Sequence, residues 1–243
     1  MLKALYDAIR NDAPAKIYDF EGGIRFADKE MKPVFEPKPK AICVTSLTGI
    51  VDYLNTNVDG LERKDLICHV ISPSAVAVFS KLRGSMKQRD TYILADLDRI
   101  QIPLNDWIEA EKFNIILQSC FVDPDDPKLV TDRAKVLRYI ANIKSVSEAG
   151  ISDDGTQQAV TIRKNIASVE NSILPNPVTL RPWRTFPEVE QPASNFVFRA
   201  KSDANGNMFY LLVEADGGAW TGEAMKNIKE YMEANVRELN VIA

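Results

Sequence analysis

Between Leu66 and Asp96 three β-prone runs, LICHVI, AVAVFSKL and TYILAD, follow one another across short breaks at Ser72-Pro73-Ser74 and Arg83-Gly84-Ser85. Parallel neighbours need a crossover of a dozen or more residues, whereas antiparallel strands can be joined by a tight turn. The spacing therefore predicts an antiparallel meander and argues against βαβ units over this stretch.

Upstream, Leu2, Leu5, Tyr6 and Ile9 recur at helical spacing and predict a short N-terminal helix. Lys16 to Asp28 reads as two β-prone runs around a Gly-containing turn, a hairpin. Val34 to Lys40 is proline-broken and reads as an extended connector. Ile42 to Thr45 is a strand, and Ser46 is placed to cap a helix carrying Leu47, Ile50, Val51 and Leu54 inward. Downstream, Phe113, Ile116, Leu117, Cys120 and Phe121 form a helical stripe, stopped by Asp123-Pro124-Asp125-Asp126-Pro127. A second helix is expected with Asp126 as N-cap, Pro127 in its first turn, and Val130, Ala134, Leu137, Ile140 and Ala141 inward.

From Ile151 the pattern is again that of strands. Asp153-Asp154-Gly155 marks a turn, Ala159, Thr161 and Ile166 lie in a β-prone run, and Val178 to Trp183 is a further strand. Asn195–Lys201 and Met208–Glu214 read as a hairpin closed by turn-forming residues 202 to 207. Thr221 is expected to cap a last helix with Met225, Ile228, Met232 and Val236 inward. The fold class is α+β: largely antiparallel sheets, several packed helices and a C-terminal helix. Residues 1–102 read as an N-terminal α/β region with the meander. Residues 103–243 read as a helical pair, a β-rich core and the final helix, and the two parts can equally form one continuous domain. The helices of 105–143 are expected to bridge two β subregions.

A net charge of −4 argues against a general nucleic-acid coat, which needs a cationic excess. No window approaches the ~18 apolar residues of a membrane span, and the start does not read as a signal peptide; a soluble, cytoplasmic chain is expected. Cys43, Cys68 and Cys120 are far apart among apolar residues and read as buried free thiols. His69, the one histidine, adjoins Cys68, but neighbouring strand residues face opposite ways, which argues against a shared zinc.

No nucleophile elbow, HExxH or phosphate-binding loop with its lysine occurs, so no catalytic residues, cofactor or metal are assigned. Asp96-Leu97-Asp98 could hold two carboxylates on one strand face, and were the chain a metal-assisted hydrolase they would be the first suspects; solvated turn residues are the simpler reading. Gly217-Gly218 lacks the other residues of a phosphate cradle and reads as a tight strand-to-helix turn. The densest binding constellation is Arg181, Trp183, Arg184 and Phe186, with Glu188 and Glu190 nearby and Arg199 on the next strand. Such a cluster serves an internal cation–π contact, a subunit interface, a nucleic acid or a small ligand.

The run from Asp153 to the final helix carries further motifs: Asp154-Gly155, Pro175-Asn176-Pro177-Val178, Pro182-x-Arg184-Thr185-Phe186, Glu190-Gln191-Pro192, Phe196-x-Phe198-Arg199 and Glu214-Ala215-Asp216-Gly217-Gly218-Ala219-Trp220. In these it resembles an uncharacterised family of phage and prophage proteins typified by YfdQ. That resemblance implies a phage-encoded protein made in the bacterial cytoplasm, with no reaction attached. The expected role is that of a non-enzymatic accessory protein acting through homo-oligomeric self-assembly and binding. The alternatives are a single-stranded nucleic-acid-binding factor in phage DNA replication or recombination, using Arg181, Trp183, Arg184 and Arg199, or an inhibitor or sponge of a host defence component.

Overall fold

The computed structural model describes residues 2–12, 14–19, 25–27, 38–84, 87–98, 101–123, 131–144, 149–153, 158–164, 168–173 and 176–243. Several expectations fall elsewhere. The Ile9 side chain, the Gly22-Gly23 turn, residues 34 to 37, Ser85, Asp126 and Pro127, Val130, Asp154-Gly155 and Ile166 lie outside the described residues. The chain divides into two units, Met1–Lys38 and Pro39–Ala243.

In the smaller unit, α1 (Leu2–Asp12) is followed by an antiparallel hairpin of β1 (Ile17–Asp19) and β2 (Arg25–Ala27), as the spacing predicted. Leu2, Leu5 and Tyr6, one turn apart on α1, are exposed.

The larger unit contains two five-stranded sheets and a separate antiparallel three-stranded one. The latter has the order β11-β10-β9, from β9 (Ala149–Asp153), β10 (Gln158–Lys164) and β11 (Ser168–Ile173). The first five-stranded sheet is built on the expected meander: β4 (Leu66–Ser72), β5 (Ala75–Ser80) and β6 (Thr91–Asp96) pair antiparallel, Cys68 opposite Val78 and Val78 opposite Ile93. Two short parallel strands flank it, β3 (Ile42–Val44) beside β6 and β15 (Asn240–Ile242) beside β4. Side chains alternate across a strand, so Cys68, Val70, Val76, Val78, Ile93, Ala95 and Val241 share one face. α2 (Leu47–Thr56) and α5 (Trp220–Asn235) cover that face with Leu47, Ile50, Leu54, Ile228 and Met232. Ser46 starts α2 as expected: its hydroxyl accepts the Gly49 amide at 3.1 Å, satisfying one of the orphan donors of the first turn.

The second sheet is antiparallel throughout, in the order β7-β14-β13-β12-β8. β13 (Ser194–Ser202) and β14 (Met208–Glu214) form the predicted hairpin, whose turn is organised by Asp203 Oδ1 accepting the amides of Asn205 and Asn207. β12 (Val178–Pro182) lies beside β13. The edges β7 (Ile108–Glu109) and β8 (Phe121–Val122) immediately bracket α3 (Ala110–Ser119) in sequence. Four interstrand steps of ~4.8 Å are ~19 Å, close to the ~15 Å of a ten-residue helix plus its ends, so α3 can cross the sheet from edge to edge. Beneath it Phe113, Phe198 and Tyr210 stack with centroids 5.4–5.9 Å apart, and Tyr139 of α4 (Asp132–Lys144) meets Phe198 edge-on. Such pairs add ~0.5–1.5 kcal/mol each beyond burial.

Several expectations are corrected. The α3 stripe does not continue helically. The helix ends at Ser119, and Cys120 and Phe121 stay buried through the turn into β8. The inner face of α4 is Val136, Tyr139 and Ile140, with Leu137 half-buried beside them as expected, while Ala134 and Ala141 are exposed; Thr131 Oγ1 accepts the Ala134 amide at its start. Larger apolar side chains win the buried stripe from alanines. The helices of 105–143 do not bridge two sheets; α3 and α4 line the second core, and α5 belongs to the first. Residues 1–102 and 103–243 share the first sheet through the β15–β4 pairing, in keeping with the reading of the two parts as continuous. Thr221 lies inside α5, its hydroxyl donating to the Gly218 carbonyl. Cys43 is exposed on the edge strand β3, while Cys68 and Cys120 are buried; burial pushes the Cys68 thiol up to about 12.

Candidate functional site

β12 ends at Pro182, and the chain from Trp183 to Gln191 leaves the second sheet to dock on the first. Gln191, 4% exposed, organises it. Its Oε1 accepts the amides of Arg184 (2.9 Å) and Thr185 (3.1 Å), and its Nε2 donates to the carbonyls of Thr185 (3.2 Å) and Phe186 (3.0 Å). One side-chain amide thus stands in for a ladder that a non-repeating segment cannot form. Thr185 Oγ1 donates to the Pro73 carbonyl in the β4–β5 turn at 2.6 Å, and Phe186 is fully buried in the first core. Glu188 Oε1 accepts the amide (3.0 Å) and hydroxyl (3.2 Å) of Thr48 in the first turn of α2, where the helix dipole favours a carboxylate.

Arg184 is 8% exposed. Its Nη1 pairs with Glu214 and its Nη2 donates to the Ser194 hydroxyl. The guanidinium carbon lies 4.1 Å from the centroid of Trp220. Burial lowers the pKa of Arg184, and the nearby carboxylates of Glu214 and Asp216 oppose that shift. The Gly217-Gly218 turn explains why these groups meet. Both glycines have positive φ (+64° and +81°), and Asp216 Oδ1 accepts the Gly218 amide at 3.0 Å. A residue with a Cβ is penalised in that conformation. The tight reversal brings Trp220, at the start of α5, back beside Glu214, at the end of β14, so both reach Arg184.

The sequence-derived constellation is therefore divided. Arg184 and Phe186 are interior, and Glu188 binds α2. Arg181, on the sheet face opposite Leu180 and Pro182, is ion-paired with Glu190. Trp183 lies just past the strand, half-buried, its amide donating to the Cys120 carbonyl at 2.9 Å. Arg199 is half-buried on β13, on the face away from Phe196 and Phe198. Asp96 and Asp98 are exposed at the end of β6, and among the described residues no three His, Cys, Asp or Glu side chains gather as a metal would require. Gln191 was missed as a site residue, although its place among prolines and away from any periodic element marks a side chain free to serve the backbone.

The exposed feature of the first sheet is the face turned away from α2 and α5. It carries Ile67, His69 and Ile71 of β4, Phe79 of β5, Thr91 and Leu94 of β6, and Ile242 of β15. Ile71 and Ile242 are 46% and 49% exposed. Near the β15 edge this face dips into a trough of about 260 Å³. Among the described residues no helix is long and apolar enough to cross a membrane. The chain matches no protein-family model, no curated protein and no solved structure.

Proposed function

We propose that the chain is a non-enzymatic accessory protein of the phage-infected bacterial cell, working through homo-oligomeric self-assembly and binding. The observation that carries the assembly reading is the aliphatic face of the first sheet, where Ile71 and Ile242 are exposed beside Ile67, Phe79 and Leu94. Contiguous apolar surface of this kind marks interaction sites, and a second copy of the chain is the simplest partner. The phage setting rests on the motif resemblance alone. The single-strand alternative gains little from the geometry, since Arg181 and Arg184 are each held by a carboxylate.

The test is the mass of purified protein by light scattering, with the 260/280 nm ratio read across the same peak. The wild type is expected to run as a discrete multimer free of nucleic acid, and Ile71→Lys with Ile242→Lys to fall to monomer mass with its circular dichroism unchanged. A monomeric wild type, or a double variant that keeps its mass, refutes the assembly reading. Co-eluting nucleic acid moves the assignment to the replication or recombination factor.

A further inference from the structure

The turn that joins β13 to β14 holds Asn205-Gly206, the one Asn-Gly step in the chain. Both residues are exposed, and Gly206 has φ +82° with no atom within 4 Å of the place a Cβ would take. Among the described residues the Asn205 side-chain amide has no hydrogen-bond partner, whereas Asn207 Nδ2 is tied to Asp203 Oδ2 at 2.8 Å. Carboxylates that precede other glycines are held as well. Asp59 Oδ2 accepts the Tyr53 hydroxyl at 2.6 Å, and Asp216 Oδ1 accepts the Gly218 amide at 3.0 Å. At Asn205 alone an unheld side-chain carbonyl stands next to a glycine nitrogen with no Cβ beside it to obstruct attack. Nucleophile and carbonyl sit on one short tether, which makes their reaction effectively unimolecular.

We propose that Asn205 is a modification site, at which the Gly206 nitrogen attacks the side-chain amide and converts the residue to isoaspartate and aspartate. The bond from Gly206 N to Asn205 Cγ forms as Cγ–Nδ2 breaks, and the Gly206 amide proton leaves with the side-chain nitrogen as ammonia. Water then opens the cyclic imide at either carbonyl, and no oxidant or reductant enters. The turn sets the rate. Gly206 N donates to the Asp203 carbonyl at 3.1 Å, so the attacking nitrogen must first leave its own hydrogen bond. Asn205 N and Asn207 N donate to Asp203 Oδ1 at 2.9 and 2.8 Å, which holds the reacting residues in that arrangement. In the isoaspartyl product the main chain runs through Cβ and is longer by one carbon. That draws the Asn207 amide away from Asp203 and loosens the hairpin from its closed end. The turn belongs to the second sheet, so this chemistry does not rest on the assembly reading.

The full-length protein is incubated in mildly alkaline buffer, folded or in guanidinium chloride. The tryptic peptide 202–226 is then followed by mass spectrometry, with fragmentation that separates isoaspartate from aspartate. The folded chain is expected to gain both products at Asn205, and Asn205→Gln to gain neither. A turn hydrogen bond of ordinary net strength slows release of the nitrogen by roughly two- to tenfold, so the unfolded chain should react faster by that factor. Asp203→Ala, which frees the Asn205 and Asn207 amides, removes most of the difference. The isoaspartyl form, isolated by ion exchange, should have a lower urea midpoint than Asn205→Asp, which has the same charge on an ordinary main chain. Four outcomes overturn the proposal: no product at Asn205 in the folded protein, product confined to Asn207, equal rates folded and unfolded, or an isoaspartyl form as stable as Asn205→Asp.

Discussion

Cutting Arg184 away from Glu214 tests whether the buried cation is held as the geometry implies. Glu214→Met removes the carboxylate and leaves the guanidinium, whose side chain is 10% exposed, without its counter-charge. Breaking a buried pair costs about 3–5 kcal/mol. Glu214 keeps 27% of its side-chain exposure, so water can reach the vacated position, and screening brings the expected loss down to about 2–3 kcal/mol. With a urea m-value of about 3 kcal/mol/M, the midpoint falls by roughly 0.8 M. The more discriminating variant is the double one, Arg184→Met with Glu214→Met. Among the described residues Arg184 Nε has no hydrogen-bond partner, so the wild-type cation is itself imperfectly satisfied. Replacing both charges with apolar groups should recover much of the single-variant loss. The four-protein cycle, followed by tryptophan fluorescence in urea, is expected to give a coupling of at least about 1 kcal/mol. If the two single effects simply add, within about 0.5 kcal/mol, the residues do not act as a buried pair and the reasoning fails.

Two further outcomes follow from the same segment and its neighbour. Gln191→Leu orphans the buried amides of Arg184 and Thr185, at ~1–3 kcal/mol each; a urea midpoint lowered by less than that of Glu214→Met would contradict its organising role. At Asp132, burial pushes the carboxyl pKa up, but hydrogen bonds from Lys135 and the Thr179 amide outweigh it, and the net shift is downward. A depressed folded pKa means the contribution is complete above the unfolded value of ~3.9 and is lost as pH falls through the folded one. The stability gap between wild type and Asp132→Asn should therefore be full at pH 7 and shrink toward pH 3, read from urea midpoints at each pH; a gap constant with pH would exclude that carboxylate as the cause.

What could be read from the residues was whatever is set by neighbours in sequence. The meander followed from break lengths too short for crossovers, the start of α2 from Ser46, and the β13–β14 hairpin from turn formers that can do little else. Where several faces of a helix could be buried, tertiary competition decided: α4 turns Tyr139 toward Phe198 and leaves Ala134 and Ala141 in solvent. A stripe at 3.6-residue spacing also says nothing of where the helix stops, since Cys120 and Phe121 are buried equally well from a turn and a strand. In the candidate site, Arg184 meets Glu214, 30 residues away in sequence, and Trp220 only through the reversal at Gly217-Gly218. The trough on the first sheet needed three strands in register with a fourth from the far end of the chain. No window of sequence contains either.

The pairing of β15 with β4 fixes an order of events during synthesis. The meander and α2 leave the ribosome with most of one layer of the first core, but α5, which brings Ile228 and Met232, and β15, which covers the β4 edge, follow only after the whole second sheet has been made. Through that interval β4 presents unpaired backbone groups along an apolar strand, the condition under which nascent chains pair with one another. Closure over so long a stretch of chain is also slow in itself. Production of this protein should therefore gain from slower translation, lower temperature and added holding chaperones, and a version cut back before Asn240 should accumulate as aggregate even though almost all of its hydrophobic core residues are still present.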